Sequence, residues 1–433
     1  MPHRPHFLII GSFIIISMSG CNQLINPPDS EAKSIAANSE TATLTPDGAD
    51  DSWVRIFGNG YESSGAGVRQ TEDGGYLIVG GTSPEQESEA FGGVMLLKTD
   101  ASGEKLWQKT YGGEGYDAGW AISPAHGGGY ILAGTTTSYG AGGRDAYLIK
   151  VDEDGSKIWE RTFGGSLDES VLMAQQTEDG GYFLVGNCVD PKDFIADPGS
   201  AGYGGFEGRS NIYVVKTDAE GNEVWSKTLE SEFNILTTAG VEAPQGGYYV
   251  LGTKVYFPEE GDDLLLVMLD DEGQEVWSRT WEEGTMGGYE MILDSDGNLI
   301  ITGLIRVTDD SDTDIFVLKI DPMGDEIWQR EFGDEELYDI GRDIIESDKG
   351  DYIVLVDRLI NFYVSGDTTL LMGISREGQQ LWVNELKTDY SVKSGNLLQD
   401  REGNILLAGA TIDDNGRFST ILVKTNIFGN VSE

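Results

Sequence analysis

The feature that most constrains this chain is self-similarity, because a fixed repeat has to be explained before any single motif. The run KTDASGEKLWQKTYGG at Lys98–Gly113 returns as KVDEDGSKIWERTFGG from Lys150, KTDAEGNEVWSKTL from Lys216 and KIDPMGDEIWQREFG from Lys319, with weaker copies from Met268 and Gly373. Trp53, Trp107, Trp159, Trp225, Trp277, Trp328 and Trp382 are spaced by 54, 52, 66, 52, 51 and 54 residues. Seven Gly-rich turns, each followed by an apolar run, begin at Thr71, His126, Thr177, Pro244, Asp294, Asp348 and Asp400. Each unit thus holds four short strands: a before the Gly-rich turn, b after it, c ending in Lys-x-Asp, and d carrying the Trp. No helical period interrupts them. Four antiparallel strands per repeat of this length predict a β-propeller blade.

The two ends are complementary. Trp53 opens a d strand with no a, b or c before it, while Ser394 to Thr425 supplies a, b and c and stops where a Trp is due. The expected fold is therefore an all-β, seven-bladed propeller of four-stranded antiparallel blades, closed by the Trp53 strand pairing on the C-terminal blade. Closure hides the sheet edge that would otherwise invite aggregation, and a monomer is expected.

Period-2 alternation places Trp, the second residue after it and the fourth on one face of strand d. The second is Arg55, Lys109, Arg161, Lys227, Arg279 or Arg330; the fourth is Phe57, Tyr111, Phe163, Trp281 or Phe332. A cation repeated in register beside rings reads as blade packing, not as a basic binding patch. The Lys of strand c (Lys98, Lys150, Lys216, Lys319, Lys424) reads the same way.

Ahead of the repeat, Phe7 to Met18 is an apolar stretch too short to span a membrane, preceded by Arg4 and followed by Ser19-Gly20-Cys21. Met-Ser-Gly-Cys resembles the bacterial lipobox, with Met18 in place of Leu. The resemblance implies a lipoprotein signal peptide at 1–20 and Cys21 as the lipidated N-terminus of the mature protein. Residues 21–52 contain no aromatic residue and are rich in Ser, Ala, Thr, Asp and Glu, the composition of a disordered tether. As coil, it would hold the propeller, residues 53–433, about 30 Å from the lipid. Asn22 is not the Asp that signals inner-membrane retention in such lipoproteins, so the expected place is the cell envelope, at the outer membrane or cell surface.

A formal charge of −45 argues against nucleic acid and leaves the lipid anchor as the only membrane contact. With Cys21 lipidated, Cys188 has no partner for a disulfide, and His126 is the only histidine after processing. Zinc sites and His- or Cys-dependent nucleophiles are left almost without residues. Asp-x-Asp-Gly at Asp152–Gly155 and Asp294–Gly297 lacks the full calcium loop and sits at hairpin positions. The expected cofactor is none, with calcium as the one candidate.

The Asp-x-x-Gly-x-x-x-Trp core, as in Asp100, Gly103 and Trp107, resembles the Trp-docking motif of pyrroloquinoline-quinone-type propellers, with a turn one residue shorter. The adjacent cysteines and the calcium and quinone ligands of that family are absent, so the resemblance implies the fold and not dehydrogenase activity. The chain also resembles the scaffold lipoprotein of the outer-membrane barrel-assembly machinery at the level of fold, and exported DGGY-and-Trp-repeat propellers more nearly.

In an a-b-c-d blade, the a–b and c–d turns share one face and the b–c and d–a loops the other. The first set is short and uniform. The second varies, above all at Asp190–Arg209. Candidate ligand-binding residues on that face are Phe194, Tyr203, Phe206, Tyr256, Phe257 and Tyr116, since exposed rings among acids suit protein or glycan contact. The expected function is a non-catalytic binding or scaffold module. The alternatives are an envelope assembly factor and a carboxylate-dependent glycan-active enzyme, which would need paired acids converging on the axis.

Overall fold

The computed structural model describes residues 52–426 except 59–60, 85–91, 191–208, 257–260, 283, 307–312, 334–336, 360–367, 387, 389, 391 and 413–417. Seven four-stranded antiparallel sheets follow one another along the chain, each a meander in the order a-b-c-d. The a strands are Tyr61–Gln70, Asp117–Pro124, Asp168–Gln176, Asn234–Glu242, Thr285–Leu293, Tyr338–Glu346 and Lys393–Gln399. Each touches the a strand of the blades before and after it, including the last with the first, so they ring a central axis. The seventh blade takes its outer strand from the other end of the chain: Trp53–Phe57 pairs antiparallel with Phe418–Thr425, Trp53 opposite Lys424.

The core is distributed around the ring. Strands b and c are unbroken apolar runs such as Tyr130–Thr136 and Gly93–Thr99, buried along their whole length, as expected of strands covered on both faces. Their side chains form a separate apolar cluster at every seam between neighbouring blades. One joins Leu77, Val79, Val94 and Leu96 to Leu132, Tyr147 and Ile149, and another joins Ile78 and Leu97 to Leu406, Ala408 and Leu422 across the closure.

Three polar devices fasten the seams. The first is the outer-strand Trp, which lies against the glycine of the next blade's c–d turn. A Cβ on Gly103, Gly155, Gly221, Gly273, Gly324 or Gly378 would come within 2.6–3.1 Å of the indole of Trp53, Trp107, Trp159, Trp225, Trp277 or Trp328. The cation two residues after the Trp covers the ring, at 5.1 Å for Arg55 and 5.2 Å for Lys109 and Arg161. It then reaches the same turn: Lys109 Nζ donates to Asp154 O at 2.6 Å, and Arg55 pairs with Glu104 at 3.0 Å.

The second device is the buried Lys of strand c. Lys98 pairs with Asp73 at 2.8 Å and Lys216 with Asp179 at 2.8 Å, at the third position of the a–b turn. Lys319 pairs with Asp294 at 2.8 Å and Lys424 with Asp400 at 2.9 Å, at the first position, where the carboxylate is fully buried. The ammonium also meets the Tyr that opens strand b of the next blade, Lys319 at Tyr352 Oη (3.0 Å) and Lys424 at Tyr76 Oη (3.3 Å). Bonding to Lys98 and Thr71 holds Asp73 down at about 2. Removing one member of a buried pair typically costs about 3–5 kcal/mol.

The third is a Gln or Glu at the end of strand a that accepts the second turn N–H of the preceding blade. Arg401 N donates to Gln70 (3.0 Å), Glu178 N to Glu242 (2.9 Å), Ser295 N to Glu346 (2.7 Å), Asp348 N to Gln399 (2.8 Å) and His126 N to Gln176. Between blades four and five the turn residue is Pro244, which has no N–H, and Leu293 stands in the acceptor position.

Closure gives a direct expectation. Deleting Ser52 to Gly58 removes the outer strand of blade seven and the Trp53–Gly103 contact together, and should lower the melting temperature markedly. Deleting Asn22 to Thr45 should leave it nearly unchanged. Equal melting temperatures by circular dichroism would contradict the closure.

Candidate functional site at the axis and the variable-loop face

Every a strand slips register once, midway along. The slips fall between Gly65 and Gly67, Gly119 and Ala121, Val171 and Met173, Thr237 and Ala239, Gly288 and Glu290, Gly341 and Asp343, and Lys393 and Asn396. A bulge bends the strand and re-aims the extra residue. The extra residues are Ala66, Trp120, Leu172, Thr238, Tyr289 and Arg342, with two in the last blade. The bulge repeats and the residue in it does not. Trp120 and Leu172 make blades two and three apolar at this level, whereas Tyr289 and Arg342 make blades five and six polar.

Arg342 Nε pairs with Asp357 Oδ2 at 2.8 Å, both largely buried, and its guanidinium lies 4.8 Å from the centre of the Tyr289 ring. Burial works against its charge, but the Asp357 carboxylate prevails and raises its pKa. Arg358 grips the fully buried Asp339 with two bonds, 2.7 and 2.8 Å. Burial pushes Asp262 up to about 6 against the pull of Arg306. Lys393 is lowered by burial, with Asp357 opposing.

Immediately past the bulges lie Glu290 and Asp343, and Arg69 of blade one faces both across the ring. Asp343 Oδ1 accepts Ile344 N (2.7 Å), while Oδ2 accepts Asn396 Nδ2 (2.9 Å) and Leu397 N (2.5 Å), tying blade six to blade seven. Glu290 Oε1 accepts Met291 N at 2.9 Å. Burial raises both carboxyls, and for Glu290 the neighbouring Asp343 charge adds to it while Arg69 opposes. Two desolvated carboxyls thus share one guanidinium at the axis.

On the variable-loop face, Tyr116 is 39% exposed at the entry to blade two. Tyr256 directly follows strand b of blade four, Tyr248–Val255, and there its hydroxyl donates to Asp263 Oδ2 (2.5 Å) and its ring packs 4.8 Å from Phe233. Blade three separates the two. Phe194, Tyr203, Phe206, Phe257 and Cys21 lie outside the described residues. Many acids on this face cap their own loops: Asp117 accepts from Ser138 Oγ (2.7 Å), Gly113 N (2.8 Å) and Thr136 Oγ1. Among the described residues, no group of three or more His, Cys, Asp or Glu side chains is arranged to hold a metal. Asp294, a calcium candidate in the sequence, spends its carboxylate on Lys319, Tyr352 and the Asn298 amide.

The axial cluster escaped the sequence reading. A signal existed, since Gly288-Tyr289-Glu290 and Gly341-Arg342-Asp343 each put an ionisable pair directly after a glycine in the middle of an a strand.

The sequence profile of one family, described as outer membrane protein assembly factor BamB, matches residues 92–308, half of the chain. The chain belongs to this family. No curated protein matches it in sequence. Among solved structures, puromycin hydrolase is similar at 14% identity and a TM-score of 0.52, over 86% of this chain and 54% of that one. This chain therefore spans about half the length of that protein, and at this identity the likeness is one of fold. A subtype N10 neuraminidase-like protein of A/little yellow-shouldered bat/Guatemala/060/2010 matches at 10% identity and TM-score 0.44, over 71% of this chain and 92% of that one. A protein of unknown function from Dyadobacter fermentans DSM 18053 matches at 12% and 0.37, over 88% and 86%.

The axial carboxyls predict a pH effect of definite sign. A carboxyl whose pKa is raised on folding contributes stability that is present at low pH and lost as pH rises through the folded value. Glu290→Gln should therefore melt close to the parent at pH 4.5 and progressively above it toward pH 9. A gap that stays constant with pH would show that Glu290 is not desolvated as described.

Proposed function

We propose that this protein is an envelope-anchored binding module that serves in the assembly of outer-membrane proteins. The observation that carries this reading is the family match over residues 92–308, to a family described as an outer-membrane protein assembly factor. In this reading residues 1–20 are the signal peptide, Cys21 carries the lipid, and 21–52 tether a monomeric propeller at the outer membrane. The variable-loop face takes a protein partner, with Tyr116 and Tyr256 on it and Phe194, Tyr203, Phe206 and Phe257 in its loops; a glycan is the other ligand that exposed rings and acids would suit. In this reading the propeller works without a cofactor, calcium being the one candidate.

One observation favours a second reading, a carboxylate-dependent glycan enzyme: Glu290 and Asp343 converge on the axis with raised pKa values. Two carboxyls in acid and base or nucleophile roles are required for that chemistry. Asp343 already spends both oxygens on Ile344, Asn396 and Leu397, which favours a structural role and the binding reading.

The test is made in the host. Cys21→Ser should abolish labelling by a fatty-acid analogue, and loss of the gene should lower the amount of folded, heat-modifiable barrel protein in the outer membrane. Replacing residues 191–208 with Gly-Asn-Gly should reproduce that loss while leaving circular dichroism melting unchanged. Unchanged barrel levels in the deletion strain would overturn the assembly reading.

A further inference from the structure

In blades four, five and six the residue inserted by the a-strand bulge is polar: Thr238, Tyr289 and Arg342. Their donors are buried without being used. Tyr289 is 9% exposed and packs against Leu304, Ile340 and Leu359, yet its hydroxyl makes no hydrogen bond among the described residues. The same holds for the buried Thr238 Oγ1 in the neighbouring blade. Arg342 bonds among the described residues only through Nε, to Asp357 at 2.8 Å. Its guanidinium lies over the Tyr289 ring, 4.8 Å from the ring centre, so it faces the ring and not the hydroxyl.

A buried donor that goes unused is costly, so a cluster of them calls for an acceptor from outside the chain. One such group is served by an ordered water, whereas a guanidinium beside a phenol is the donor set of an oxyanion. The nearby carboxyls do not compete for these donors. Asp357 is taken by Arg342 Nε, Asp339 is gripped by Arg358 through two bonds, and Asp262 faces Arg306. Lys393 adds a further cation close to Arg342 and Asp357. In a chain of formal charge −45, this part of the axis matches its carboxylates with cations.

We propose that the axial end of the seam between blades five and six is a carboxylate-binding site, in which the Arg342 Nη groups and the Tyr289 hydroxyl donate to the oxygens of one carboxylate. A planar guanidinium edge fits a planar carboxylate with two parallel bonds. Asp357 already offsets part of the positive charge, so a singly charged carboxylate suits the site and a dianion such as sulfate does not. The group is that of a small free acid or of a polypeptide C-terminus; the chemistry is the same, and the titration below tells the two apart. None of the variable-loop residues takes part, so the site stands or falls independently of the function proposed above.

The experiment is a titration of ¹³C-carboxyl-labelled propionate with the full chain, read from the width of the carboxyl resonance. Broadening should report a Kd on the order of 1 mM for so small a ligand. Excess N-acetylglycine, which mimics a chain terminus, should restore the narrow line, and N-acetylglycinamide and sulfate should not. Tyr289→Phe should weaken binding about tenfold. Because it deletes an unused buried hydroxyl, it should also melt no lower than the parent without ligand. Arg342→Gln should abolish binding, and Tyr289→Phe decides the matter if that variant does not fold. Displacement by N-acetylglycine at lower concentration than by unlabelled propionate assigns the site to a polypeptide terminus, and the reverse order to a small free acid. Absence of broadening, equal displacement by sulfate or the amide, unchanged binding in Tyr289→Phe, or a lowered melting temperature for that variant would each overturn the proposal.

Discussion

The structure depends on one contact made around the ring, the outer-strand indole of a blade lying against a glycine in the next blade's c–d turn. The glycine is required twice over at the same residue. Its backbone is left-handed, with φ between +71° and +85° at Gly103, Gly155, Gly221, Gly273, Gly324 and Gly378, and the indole occupies the space a Cβ would need. The contact therefore fixes both the hairpin geometry of one blade and its distance and tilt from its neighbour. A blade that buries its b and c strands on both faces cannot be stable alone, so stability comes from nearest-neighbour seams, as in other repeat architectures. Closing the ring with the Trp53 strand gives the first blade the same indole contact that its successors receive.

The charge distribution follows from this scheme. The chain has 29 Lys and Arg against 74 Asp and Glu, and many of its cations are spent inside the seams. Arg55, Lys109, Arg161, Arg279 and Arg330 cover indoles, while Lys98, Lys216, Lys319 and Lys424 are buried against turn carboxylates. The outside is left strongly acidic. At the axis the opposite situation arises, one guanidinium for two carboxyls, and the surroundings of Glu290 and Asp343 oppose their charge, as burial does for Asp262. The exceptions to the repeated design at the axis of blades five to seven gather the ionisable groups that the packing scheme does not use.

Most of the fold was legible because it is written in short-range pattern. Gly-rich turns, uninterrupted b and c runs and the Trp-x-cation alternation specify hairpins, and the unmatched ends at Trp53 and Thr425 specify closure. The cation two residues after six of the seven repeat tryptophans was readable as packing for the same reason. What could not be read were contacts that exist only once the ring has formed. The bulges at Trp120, Tyr289 and Arg342 insert one residue into a period of two, a change too small to register in composition or spacing. The bond from Glu242, Glu346 or Gln399 to the preceding turn crosses 51 to 64 residues, and that from Gln70 crosses 331. Its trace is visible in hindsight, a Gln or Glu directly before the turn, with Leu293 where Pro244 removes the donor. The variable-face aromatics were chosen for exposure, yet Tyr256 is held by Asp263 and Phe233, a loop-internal pairing that no strand pattern encodes.

The indole contact can be separated from the cost of left-handed backbone within this one protein. Gly155 has φ +71° and would place a Cβ 2.6 Å from Trp107, whereas Gly127 has φ +87° and nothing within 4 Å of that position. The decisive measurement is the unfolding free energy of Gly155→Ala beside Gly127→Ala, by denaturant titration. Gly127→Ala should lose about 1–2 kcal/mol from the left-handed conformation alone. Gly155→Ala should lose that and a further ~1–3 kcal/mol from displacing the indole. Equal losses in the two variants would contradict the claim that the seams rest on tryptophan packed against glycine.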